Sequence, residues 1–391
     1  MKMNNSIYEN NLSYYKNIRS YDLMTPKERA HALSIGAPVD RMPVYMMADL
    51  VIPQLIGTTL RESELSAKRK AEVQIAGYRM FGFDSVGMMH GLYSLPIAIG
   101  GAYSDPENLT RTLIEYPVKD ISDLSVLDLD CVGLCKDEAA SKAFDAIRYV
   151  QEAIGDEVEC TMNFTSPFTV ASGIVGIEKF LTALAKNTER AEQVLQFVLE
   201  AQFKLAKEFL KEGITVGTSD PVASCTIINP KLYRKFAQPY EIEFAKRCME
   251  YMGKPLSIHI CGNTTKILND VADCGFSTFS LDNMVDLAVA KREIGNRMHL
   301  AGNVDPVAVM LQGTPRDVEK SVHSCYFKAW DSPKGFSIHT GCDMPYGTPL
   351  ENMEVYLREA KKCAKEHAEA LLKEKDYYIW DDAAEVENEK I

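Results

Sequence analysis

The sequence predicts an α/β protein: a (β/α)8 TIM barrel preceded by an N-terminal helical arm. Three observations carry this reading. Eight short apolar runs, often β-branched, recur with helical patterns between them, and strands alternating with helices make parallel βαβ units whose number suits a closed barrel. No GxGxxG follows an early run and no GxxxxGK[ST] occurs, so the phosphate-binding fingerprints of an open doubly wound sheet are missing. At 391 residues, 46% of them apolar, the chain is long enough to fill one large core.

The elements follow in order. Residues 1–41 form a polar arm containing TPKERAHALSIG, with Thr25 as N-cap, Pro26 at the first helical position and Gly36 at the end, and the arm is expected to close the barrel bottom. The eight runs begin at Met42, Asp84, Val158, Ile214, Leu256, Phe276, Met298 and Phe336 within a barrel domain spanning residues 42–375. An excursion over 91–135, rich in Gly, Pro and Asp, is too long for an ordinary βα loop and reads as a lid or a partner-facing surface. A C-terminal helix over 350–375 leads into an acidic, solvated tail, 376–391.

A net charge of −12 without any basic stripe excludes non-specific binding to nucleic acid or anionic membranes. The start lacks a signal-peptide pattern and no apolar stretch approaches the roughly 18–20 residues that cross a bilayer, so a cytoplasmic location is expected. Ten scattered cysteines in so long a chain read as reduced thiols, most of them buried.

Several runs end in a polar residue where a barrel would open: Asp49, His90, Asn163, Asp220, Cys261, Asp282, Asn303 and Cys342. Strand C-termini build the active sites of barrel enzymes, although any single Asp or Asn there also suits a helix N-cap. His259 and Cys261 stand two apart, so both face the mouth while Ile260 packs behind them, and Cys342 arrives from the last strand end. Three soft ligands from two separated segments leave a fourth position open, as in a catalytic zinc site. Two thiolates neutralise Zn²⁺, and such a centre suits a substrate thiol held as thiolate.

A His and a Cys two apart are common in cores, and it is Cys342 that singles out the pair. His339 has the opposite parity to Cys342 and is expected in the core or behind the ligands. Cys131 and Cys135, in CVGLC, read as packed thiols, while Cys225 either lines the pocket or is buried. His90 is a proton donor or substrate contact, or else a packing residue.

At these residues the sequence resembles the uroporphyrinogen decarboxylase superfamily, and within it the zinc-dependent, corrinoid-linked branch that includes methylcobalamin:coenzyme M methyltransferases. The resemblance covers roughly residues 25–370, through DPVAS from Asp220, NPKLYRKFAQPY from Asn229, LDNMVDLAVAKREIG from Leu281, LAGNVDP from Leu300 and GCDMPYGTPLEN from Gly341. The chain departs from the decarboxylases where DRMPVYMMADL offers no arginines after Met47, and where Cys342 replaces their histidine.

The resemblance implies a uroporphyrinogen decarboxylase-like barrel whose mouth docks a separate corrinoid-binding protein. His259, Cys261 and Cys342 would bind zinc. A methyl group would pass between the corrinoid (methylcobalamin) and the heteroatom of a small substrate, either a thiol such as coenzyme M or a methoxylated compound undergoing O-demethylation. Asp220, with His90, is expected to orient substrate or manage protons, and Asn163, Asp282 and Asn303 to bind it. The direction of transfer stays open. The alternatives are a decarboxylase of a small acid, which needs a cationic pocket and no zinc, and a catalytically silent barrel that binds a corrinoid protein.

Overall fold

The computed structural model describes residues 18–19 and 21–388, with side chains up to residue 373. Residues 1–17 of the arm, the last three residues of the tail and the tail's side chains therefore lie outside the described residues. Seven of the eight expected runs form one parallel sheet, in the order β1 (Ser85–Met89), β4 (Glu159–Thr165), β5 (Thr215–Ser219), β6 (Ser257–Ile260), β7 (Thr278–Leu281), β8 (His299–Val304) and β9 (Phe336–Thr340). Within 91–135, β2 (Ala102–Ser104) and β3 (Thr112–Glu115) make a separate antiparallel hairpin.

The run from Met42 corrects the sequence reading, because it forms no full strand. Val44 makes a single parallel bridge to Ile338 of β9, and its carbonyl accepts from the Asp84 N–H just before β1. Pro43 has no N–H to offer a ladder, and the Val44 N–H is taken by the Asp84 carboxylate at 2.7 Å. The segment therefore lies between the two outer strands on isolated hydrogen bonds.

The two faces of the sheet differ sharply. Val86, Met88, Met162, Phe164, Val216, Ile258, Ile260, Phe279 and Leu281 alternate along the strands and are at most 1% exposed beneath the helices. That face holds the core. The residues between them, among them Gly87, Asn163, His259, Thr278 and Ser280, are small or polar and only partly buried. Barrel interiors are usually filled by layers of Val, Ile and Leu, so this concave face instead forms a polar lumen that water reaches. Glycine keeps it open: a Cβ at Gly217 would stand 2.3 Å from Asn163 Oδ1.

The helical layer includes α1 (Pro26–Ser34), α2 (Ala67–Phe81), α3 (Glu138–Ile154), α4 (Pro167–Val175), α5 (Thr188–Lys211), α6 (Gln238–Met252), α7 (Leu287–Ile294), α8 (Pro315–Ala329) and α9 (Leu350–Asn388), with a further helix at Ile177–Lys186 and shorter turns between them. α3 shows why these segments are helical: Asp137 caps it by accepting from Ala140 N, and Ala140, Ala143, Ile147, Val150 and Ile154 make one buried stripe. α1 begins with the expected cap, Thr25 and Glu28 forming a reciprocal capping box with Pro26 at the first position. It lies at the N-terminal ends of the strands, where Lys27 N donates to Glu157 O ahead of β4. α9 continues past Lys375, where the sequence reading ended it; DDAAEVEN contains neither Gly nor Pro to stop a helix.

Candidate metal centre at the strand ends

β6 delivers His259 to the concave face and the chain places Cys261 directly above it, with Ile258 and Ile260 buried behind. Cys342 arrives two residues after β9. His259 Nε2 stands 3.1 Å from Cys261 Sγ, Cys261 Sγ stands 3.6 Å from Cys342 Sγ, and the three ligand atoms lie within 4.8 Å of one another. Tetrahedral zinc with bonds of about 2.0–2.3 Å needs ligand atoms roughly 3–4 Å apart, so the trio fits the ion. The other ring nitrogen, Nδ1, lies 3.1 Å from both the carbonyl and the hydroxyl of Ser280 on β7, which fixes the imidazole with Nε2 toward the thiols.

The two sulfurs hydrogen-bond to one another, and this bond with the His259 imidazole nearby lowers Cys342, against the effect of burial. Cys261 is raised by the same bond, by burial, and by the negative charges of Cys342, Asp282 and Asp343. Burial together with the facing Asp49 carboxyl raises Asp343 as well. Two thiols and an imidazole at these separations offer a soft donor set for a divalent cation.

The other predicted residues divide by face. Asp282 lies at the mouth, its Oδ1 accepting from Met284 N at 2.8 Å, and Asn163 lies in the lumen between Gly87 and Gly217. Three further assignments need correction. His90 continues the alternation of β1 onto the helix side, where it stacks on Phe164 and faces Asp137 Oδ2 at 3.5 Å, away from the mouth. Asp220 is fully buried; its Oδ1 accepts from the Thr169 N–H and hydroxyl of α4, and its carboxyl faces Glu241 of α6. Burial pushes Asp220 up to about 7, and burial together with the neighbouring Asp220 carboxyl raises Glu241. Asn303 spends its amide on the carbonyls of Asp282 and Val285, with Cys325 of α8 against its oxygen. These three side chains build the walls of the site and do not line its mouth.

His339 lies in the row of Asn303 and within the field of His259 and Cys342, behind the ligands; burial lowers its pKa to about 4, so its ring is neutral at neutral pH. Cys131 and Cys135 are exposed and not packed, while Cys225 is half-buried. The sequence reading missed Ser280, Thr165 and Ser219, which share the row of His259 across the ladder. Counting alternate residues backward from His259 and across the paired strands would have found them.

A parallel sheet with soft ligands at its C-terminal edge defines a barrel-type enzyme scaffold, and residues 25–363 match the family described as uroporphyrinogen decarboxylase (URO-D). The chain belongs to that family. It is 28% identical to a methylcobamide:CoM methyltransferase of Methanosarcina barkeri, over 84% of this chain and 96% of that one. It is 24% identical to a uroporphyrinogen decarboxylase of Coxiella burnetii, over 85% and 94%. A methyltransferase from Methanosarcina mazei shares the fold at a TM-score of 0.74 with 24% identity, covering 87% of this chain and 99% of that one.

Proposed function

We propose that this protein is a corrinoid-dependent methyltransferase that moves a methyl group between a separate corrinoid protein and a small substrate, with zinc held by His259, Cys261 and Cys342. The three-ligand cluster carries the reading, since its separations suit an open tetrahedral site. Zinc bound there would supply Lewis acidity, ionising a substrate thiol or polarising a methoxy oxygen.

The chain's own residues do the rest. Ser280 orients His259, and the Asp220 N–H donates to the His259 carbonyl at 2.9 Å, so Asp220 acts as a positioning residue through the backbone. Ile227, Met284 and Val307 stand exposed on the loops after β5, β7 and β8 and offer an apolar rim for a docked corrinoid domain, with the hairpin's Leu109 and Ile114 beyond. Segment 42–47 takes the eighth place of a barrel in this reading, supported by the hydrogen bonds of Val44 to both outer strands. The protein is cytoplasmic in this reading, since thiols kept free for a metal suit a reducing compartment.

The decarboxylase alternative, acting on a small acid, needs a cationic pocket and no metal, and the clustered soft side chains favour the methyltransferase reading over it. The deciding experiment is zinc stoichiometry combined with the visible spectrum of methylcobalamin plus thiol, and of Co(I) corrinoid plus methoxyaromatic. About one zinc per chain with either spectral change is expected; metal-free protein silent in both assays would reject the reading.

A further inference from the structure

α8 and α9 pack side by side in the helical layer, and one face between them gathers metal-binding groups that the strand-end centre does not use. Glu319 and His323 stand four residues apart on α8, so both leave the same side of that helix, and Glu359 of α9 meets them there. A ring nitrogen of His323 and one carboxylate oxygen each from Glu319 and Glu359 lie within 4.8 Å of one another. His323 Nε2 stands 3.2 Å from Glu359 Oε2.

Three further contacts set this cluster apart from an ordinary surface ion pair. The Glu359 side chain is 9% exposed against 45% for His323, so the carboxylate is held at the floor of the cleft while the ring reaches water. Arg358 Nε donates to Oε1 of Glu359 at 3.1 Å, which leaves Oε2 for the ring. Cys363, one turn further along α9, places its Sγ 3.6 Å from Nδ1 of His323, a contact on the far nitrogen of the kind that orients a ligating imidazole. Glu319 makes no hydrogen bond or ion pair with any described residue, so its carboxylate is free to turn onto a cation.

We propose that Glu319, His323 and Glu359 form a second metal site, for a divalent first-row ion such as Zn²⁺, which clamps α9 onto α8. Nitrogen and oxygen ligands bind zinc at about 2.0–2.2 Å, which places neighbouring donors roughly 3–3.5 Å apart, and the contact between His323 and Glu359 already has that length. Two carboxylates balance the charge, and the imidazole favours zinc over Mg²⁺ or Ca²⁺. Water fills the remaining positions, since the ring is half exposed. The site sits on the stretch of α9 that also sends Lys361 to Asp22, so the ion bears on the anchoring of α9 and not on the chemistry at the strand ends. Arg358 and Lys362 both act on Glu359, so this ion is held more weakly than one bound by thiolates. The strand-end ion is therefore the one retained on purification, and the second site fills when Zn²⁺ is added.

Metal-free full-length protein, kept reduced, is dialysed against excess Zn²⁺, and bound zinc is counted in wild type, Glu319→Gln and Cys342→Ala. Glu319→Gln alters an exposed side chain that holds no partner, so it tests the site without disturbing the fold. Wild type is expected to bind two zinc ions and each variant one, the weaker affinity falling at least about tenfold in Glu319→Gln. Added Zn²⁺ should also slow amide exchange around Glu359 in Cys342→Ala, and should not do so when Glu319→Gln is combined with it. A single ion that is lost in Cys342→Ala and kept in Glu319→Gln would overturn the second site and leave the strand-end centre standing, as would two ions in Glu319→Gln. A single ion that is lost in Glu319→Gln and kept in Cys342→Ala would support the second site and overturn the strand-end one.

Discussion

At the N-terminal ends of the strands every buried charge is answered. Asp84 is shared between Arg29 at 2.5 Å and Arg41 at 2.6 Å, Arg29 also holds Asp40, and Asp22 joins Arg41 to Lys361. These ion pairs tie the arm, the start of β1 and α9 into one base. At the opposite ends Asp282 and Asp343 reach the Cys261 thiol, and burial raises Asp343 and Asp49. The same residue type thus serves two purposes. Paired carboxylates fix the fold, while acids buried beside the soft side chains are pushed toward their neutral form.

The comparison breaks most visibly at the base. Arg41→Met should lower stability by about 3–5 kcal/mol, because Asp84 and Asp22 stay buried with one cation fewer; urea unfolding measures it, and a loss below about 1 kcal/mol would mean the base is hydrated. Cys342→Ala should reduce zinc affinity by about a hundredfold or more and activity with it, while metal-free stability changes by less than about 1 kcal/mol. Equal zinc content in wild type and variant would remove Cys342 from the centre.

A pH test probes the wall between the two regions. Asp220 has a folded pKa of about 7, above the usual 3.8, so its contribution to stability is complete below about 3.8 and is lost as pH rises through 7. Unfolding free energies should therefore fall by about 2–4 kcal/mol from pH 4 to pH 8, and Asp220→Asn should remove the part of the slope centred near 7. A variant with the wild-type slope would assign that titration elsewhere. The smallest effect is expected at Ser280→Ala, where zinc affinity should drop about tenfold, since the Ser280 carbonyl still holds His259 Nδ1. An unchanged dissociation constant would show that the carbonyl alone orients the ring.

Much of this architecture was readable in the chain because its signals are local. Apolar alternation marks seven strands, Thr25 with Glu28 marks the first cap, and the i, i+2 spacing sends His259 and Cys261 to one face. Parity would also have put His90, read as a residue of the opening, on the helix side of β1 once Gly87 is known to face the lumen. Asp220 and Asn303 were harder: their partners Thr169, Glu241 and Cys325 lie on helices distant in sequence, so no spacing rule links them.

The sequence by itself determined the order of strands and helices and the candidate soft side chains His259, Cys261 and Cys342 at the strand ends, all properties of single segments. Only the tertiary structure decided that Cys342 meets Cys261, that the Met42 run makes a bridge in place of a strand, and that Thr165 and Ser219 stand unpartnered beside His259. Those outcomes depend on which segments the sheet brings side by side, and the core that curls it is set by contacts between residues far apart along the chain.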